Sequence, residues 1–200
     1  MADLHIKTED ITLNEEAKLT DVAVRYRLPD MYAPADEEYS PWIFVEGSEG
    51  MWARYLWFDV RLGQWGAMVR SDGPGVLGVH KHRSDVLAYT VSGSWGYEEY
   101  DWEAKAGDVV QESPGTIHTL RSVNPEGFLA FFVLNGSIDW YAPDGQVALV
   151  EDVFYNIHRY ETYCNTKGIP VNDELSVADL SSPAVTGAGA SWSPSSLHPV

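Results

Sequence analysis

The chain has 200 residues, with 13 basic side chains against 30 acidic ones and a formal charge of −17. That length fills one sizeable domain and buries a core without staples. Such an acidic balance excludes nucleic acid as a main partner, because affinity for phosphates rests on Lys and Arg. Cys164 is the single cysteine and cannot close an internal disulfide, which fits a reducing compartment. Met1 to Asp10 carries charges where a signal peptide needs an apolar stretch, and no run approaches the length of a membrane span. The expectation is a soluble, cytoplasmic protein with no membrane partner.

In chain order, residues 1–40 are charged and weakly periodic, with Pro29, Pro34 and Pro41 marking an extended approach available for contacts between subunits. From Trp42 the texture changes. Strands are predicted over 52–60 and 65–70, separated by a turn at Gly63, and Ser71-Asp72-Gly73-Pro74-Gly75 reads as a strong turn before a strand over 76–82. Further strands are expected at 86–91, 95–102, 109–111, 119–123 and 128–134. Short strands at this spacing indicate a sandwich or closed barrel. Eight tryptophans and eleven tyrosines favour the same class, since aromatic side chains suit pleated, half-buried surfaces.

One helix is expected late, where Val153, Ile157, Tyr160 and Cys164 recur at helical spacing and Gly168 and Pro170 stand as stop signals. From Ser181 the composition of Ser, Pro, Gly and Ala reads as a tail. The division expected is an extension over 1–40, a barrel over 41–145, a C-terminal helical segment packed on it over 146–170, and a tail over 171–200.

Half of the chain's six histidines fall in one pattern. His80 and His82 are one residue apart on a predicted strand and therefore point to the same side of the sheet. His118 follows 36 residues after His82, and can complete a metal-binding triad if the intervening strands fold back. His158 falls away from the apolar stripe of its helix, and His5 and His198 lie near the termini; these three read as surface histidines.

The segments Gly75 to Gly93 and Gly107 to His118 resemble the two motifs of the cupin superfamily, with His80, His82, Gly93, Gly107, Gly115 and His118 on the expected positions. The resemblance implies an all-β, cupin-type jelly-roll barrel. It also expects a glutamate after three or four intervening residues from His82, where this chain has Val86 and Leu87. Either the site has three histidines only, or a carboxylate arrives from elsewhere. If the strand over 95–102 carries Trp95 and Tyr97 inward, Glu99 travels with them, while Glu98 takes the opposite face. Trp95 and Tyr97 are then candidates for the apolar wall beside a substrate ring, and equally for plain core.

A narrower resemblance covers most of residues 41 to 168. Pro41-Trp42, the aromatic and acidic run over 93–102 and the helix ending Tyr163-Cys164 look like the 2,4'-dihydroxyacetophenone dioxygenase group of cupins. That likeness implies a three-histidine, one-glutamate iron centre on His80, His82, His118 and Glu99. It implies cleavage of a hydroxyketone carbon–carbon bond by dioxygen to two carboxylic acids, with no reductant. The donor set by itself also suits zinc, nickel or copper. Iron(II), a small aromatic or ketone substrate and a homodimer or homotetramer are the expectations. The alternatives are another metal-dependent cupin enzyme (a diketone or thiol dioxygenase, or an isomerase) and a non-catalytic zinc-holding or ligand-sensing cupin.

Overall fold

The computed structural model describes residues 30–176. Ten strands form one antiparallel system: β1 (Ile43–Phe44), β2 (Glu49–Asp59), β3 (Gln64–His82), β4 (Val86–Tyr97), β5 (Glu103–Lys105), β6 (Val109–Glu112), β7 (Ile117–Ser122), β8 (Phe128–Asn135), β9 (Ser137–Tyr141) and β10 (Val147–Asp152). Among the described residues one α-helix, α1 (Val153–Lys167), follows. The all-β cupin-type architecture with one late helix is as expected. The core lies between the walls, where Met51, Tyr55, Trp65, Val86, Trp95, Phe128 and Phe132 are buried. Among the described residues no helix is long and apolar enough to cross a membrane.

The turn expected at 71–75 is absent, and the difference positions the site. The chain runs straight on as β3, with a bulge in which Met51 faces Ser71 but Glu49 faces Val76. Pro74 offers no N–H to a ladder. At Gly75 any Cβ would come within 2.7 Å of the Glu49 carbonyl oxygen. The kink lets one strand serve both walls. Its first half pairs β8 as far as Ser71↔Phe128, and its second half pairs β7 and β9, with Gly75↔Ser122 and His80↔Trp140.

Gly93 likewise ends no strand. β4 passes through it, with a register shift between Thr90 and Ser92, and ends at Tyr97, five residues earlier than expected. The chain then turns into β5, which pairs back on β4. At the corner where β4, β8 and the kink of β3 meet, Gly127 has φ +70° and a Cβ there would lie 1.9 Å from Ser71 O. Both a left-handed conformation and a backbone contact require glycine. Gly127→Ala is expected to cost about 2–4 kcal/mol, by overpacking and left-handed strain together. A urea midpoint equal to that of the parent would contradict this.

Beyond residue 145, where the barrel was expected to end, the sheet continues through β10, paired with β9 from Val147↔Tyr141 to Asp152↔Ser137. The helix therefore starts at Val153, with the Asp152 side chain accepting from Tyr155 N (2.9 Å), and Gly168 ends it at φ +67°. Part of the expected tail is also structured. Asn172 donates to Tyr39 O (3.0 Å), and Leu175 is buried. At the other end, the segment after residue 30 covers β2, where the buried Arg54 donates to Pro34 O (3.0 Å) and lies over the Trp42 ring. The expectations for residues 1–29 and 177–200 lie outside the described residues.

Candidate metal centre

The second half of β3 carries His80 and His82 inward, and β7 places His118 directly opposite His80 in the ladder. Their ligand atoms all lie within 4.8 Å of one another, and the three residues are 2%, 4% and 1% exposed. His80 Nδ1 sits 2.8 Å from the Gly78 carbonyl oxygen. A carbonyl only accepts, so Nδ1 carries the proton and Nε2 keeps its lone pair, as a ligating imidazole requires.

Glu112, at the end of β6, is the fourth member. Its Oε2 lies 3.1 Å from His82 Nε2 and 3.4 Å from His118 Nε2. Neither contact is made as a hydrogen bond: Glu112 Oε2 and His118 Nε2 are buried without a partner. The other oxygen, Oε1, accepts from the Tyr97 hydroxyl. Burial, and next the neighbouring His82, push His80 well below its ordinary range; burial also lowers His118. Neutral imidazoles with free lone pairs, beside a carboxylate oxygen that nothing satisfies, fit a divalent cation. One ion would satisfy the orphaned nitrogen and oxygen together.

The model of the family described as the ChrR Cupin-like domain matches residues 33–139. The chain belongs to this cupin family. Among solved structures, it is 28% identical to an RmlC-like cupin protein from Ralstonia eutropha JMP134, with a TM-score of 0.66 over 74% of this chain and 97% of that one. An acetylacetone dioxygenase from Acinetobacter johnsonii shares the fold at 14% identity, with a TM-score of 0.62 over 68% of this chain and 94% of that one. A search of curated proteins gives no match.

In this cupin the carboxylate expected at Glu99 is elsewhere. Because β4 stops at Tyr97, the alternation that would carry Glu99 inward is interrupted by a turn. Glu99 is exposed, and its two oxygens accept from Thr119 N (2.9 Å) and Thr119 Oγ1 (2.9 Å). Glu98, on the first residue past the strand, is exposed too. Val86, where the cupin motif expects its glutamate, is paired across the sheet with Glu112. The neighbouring strand thus brings an acidic side chain close in space to the position that lacks one. A period-two reading of Val109-Val110-Gln111-Glu112, with Val110 inward, carries that signal.

Trp95 and Tyr97 are both buried, with different surroundings. Trp95 donates to Thr90 Oγ1 (2.9 Å) and packs among Phe128 and Phe132, so it is core. Tyr97 stacks on His118 with ring centroids 3.8 Å apart and planes 4° apart, while its hydroxyl holds Glu112. Burial, then the Glu112 charge, raise its ionisation well above the usual range, so it stays a donor. Tyr97→Phe should leave Glu112 Oε1 buried without a donor, at a cost of about 1–3 kcal/mol. Metal retention should weaken as well, measured by competition with a chromogenic chelator; unchanged retention would mean that Tyr97 only packs.

Proposed function

We propose that this cupin is a non-haem iron dioxygenase that holds iron(II) with His80, His82, His118 and Glu112 and cleaves a carbon–carbon bond of a hydroxyketone with dioxygen. The observation that carries the proposal is the fourth donor. A buried carboxylate with an unsatisfied oxygen facing two imidazole nitrogens completes the three-histidine, one-glutamate set that the resemblance to the 2,4'-dihydroxyacetophenone dioxygenase group implies. The fold shared with an acetylacetone dioxygenase is consistent with oxygen chemistry on this scaffold.

A ferrous ion held there by His80, His82, His118 and Glu112 would supply Lewis-acid stabilisation of developing negative charge and redox contact with dioxygen. The protein's own contribution is orientation. The Gly78 carbonyl fixes the tautomer of His80, the Tyr97 ring fixes the plane of His118, and the Tyr97 hydroxyl fixes Glu112. In the overall balance, one hydroxyketone and one dioxygen give two carboxylic acids, with both oxygen atoms incorporated and no reductant consumed.

The burial of all three histidines favours one second reading, a cupin that holds its ion without turnover. Metal analysis of protein purified without added metal, combined with oxygen uptake on addition of 2,4'-dihydroxyacetophenone or acetylacetone, separates the two. Stoichiometric iron with uptake and two carboxylic acid products supports the dioxygenase. Stoichiometric zinc with no uptake, unchanged after reconstitution with iron(II), would overturn it.

A further inference from the structure

A cavity of about 190 Å³ adjoins the metal centre and is lined by none of its four donors. It exists because the ladders leave a gap. Along one edge of β3 the pairing with β2 ends at Val76 and the pairing with β9 begins at His80, so Gly78 and Val79 have no strand partner. The turn over 45–48, the β9–β10 hairpin and the start of α1 close over that gap. Val45, Leu77, Leu149 and Trp140 give it an apolar wall. Two charges of opposite sign share the lining. Glu151 is 9% exposed; its Oε2 accepts from Trp140 Nε1 (2.8 Å), and its Oε1 accepts from no described residue. Arg159 donates to Phe44 O (2.7 Å) and to the Tyr55 hydroxyl (3.3 Å), which leaves it N–H groups to spare. Among the described residues no ion pair joins Arg159 to Glu151, or to the exposed Glu46 on the same lining.

We propose that this pocket binds a free amino acid with an apolar side chain, its ammonium group on Glu151 and its carboxylate on Arg159. A carboxylate only accepts and a guanidinium only donates, so each calls for an opposite end of one ligand. A buried carboxylate oxygen without a donor is costly, and an ammonium N–H satisfies it with a charge-assisted bond. Two opposite charges that line one pocket without meeting leave space for a molecule that carries both. The volume sets its size. It falls below the roughly 300–1,000 Å³ of sites for drug-sized ligands, which is too small for a nucleotide or a peptide. Tyr155, on the same lining, feels both charges: burial, then Glu151, raise its ionisation while Arg159 lowers it, so its hydroxyl stays neutral. The apolar wall takes the side chain. Gly78 and Trp140 both touch His80, one through its Nδ1 and the other through its ring. The site therefore lies one layer behind a metal ligand, and it is separate from the reaction proposed above.

Isothermal titration of the full chain with L-leucine and with L-phenylalanine should show one site, with a dissociation constant on the order of 100 µM for at least one of them. Analogues of leucine that lack one charge test the two ends on the unaltered protein. 3-Methylbutylamine, without the carboxylate, and 4-methylpentanoate, without the amine, should each bind at least about 10-fold more weakly. Glu151→Gln keeps an acceptor for Trp140 and removes the charge. It should weaken the amino acid by about 10-fold or more and leave the binding of 4-methylpentanoate unchanged. Arg159→Gln should weaken the amino acid similarly and spare 3-methylbutylamine. Arg159 also holds Phe44 and Tyr55, so far-ultraviolet circular dichroism checks that variant; if it folds poorly, the analogues and Glu151→Gln still decide. Failure of both amino acids to bind below about 10 mM would overturn the proposal. So would an amine or an acid that binds as tightly as leucine, or amino-acid binding that Glu151→Gln leaves unchanged.

Discussion

Replacing any one of His80, His82 and His118 with alanine will strip the bound metal and leave the barrel folded. Each imidazole is one of few donors, and the ion has no other buried carboxylate within the cluster to fall back on than Glu112. Loss of a direct ligand should exceed the 10- to 100-fold penalty typical of second-layer changes, so retention should fall by more than about 100-fold. Folding should survive because the core between the walls is built from residues such as Trp65, Trp95, Phe128 and Phe132, independently of the ion. Metal content by elemental analysis and the melting profile by circular dichroism check the two halves separately. His158→Ala, on the exposed side of α1, should change neither. If one of the three variants keeps full metal occupancy, the cluster is not the metal site.

The triad was legible in the sequence because its geometry is local. His80 and His82 share a face by period two, and His118 needs only antiparallel pairing to arrive opposite. The fourth donor was not, and the reason is continuity. Extending the strand from Trp95 to Trp102 keeps Glu99 in phase with Trp95 and Tyr97, but the turn after Tyr97 ends that phase. Period two turns Glu112 inward, but only the long-range pairing of β6 with β4 sets it beside the histidines. The same limit explains the kink in β3. Asp-Gly-Pro-Gly has the composition of a reversal, yet here the chain keeps its direction because β2, β8 and β7 hold partners on both sides of the bulge. β10 is hidden in the sequence for a related reason: Val147 to Asp152 abuts the helix, and its apolar residues blend into the helical stripe.

Glu112→Gln should be the most informative substitution, read against Glu99→Gln. The amide keeps the shape of the carboxylate and can still accept from Tyr97, so packing around His118 and Tyr97 is preserved. It removes one negative charge from the cluster, and either a weakly donating carbonyl or an NH₂ group then faces His82 and His118. Metal affinity should drop by about 10- to 100-fold or more, and oxygen uptake at saturating iron should fall further, because the charge also sets the reactivity of the ion. Glu99→Gln retains one acceptor for Thr119 and loses little, at most about 1 kcal/mol of local stability. Its metal affinity should match that of the parent. Isothermal titration with zinc gives both affinities without relying on turnover. A large loss for Glu99→Gln with none for Glu112→Gln would return the fourth position to Glu99. Negligible losses for both would leave a bare three-histidine site and move the chemistry toward the diketone or thiol dioxygenase alternative.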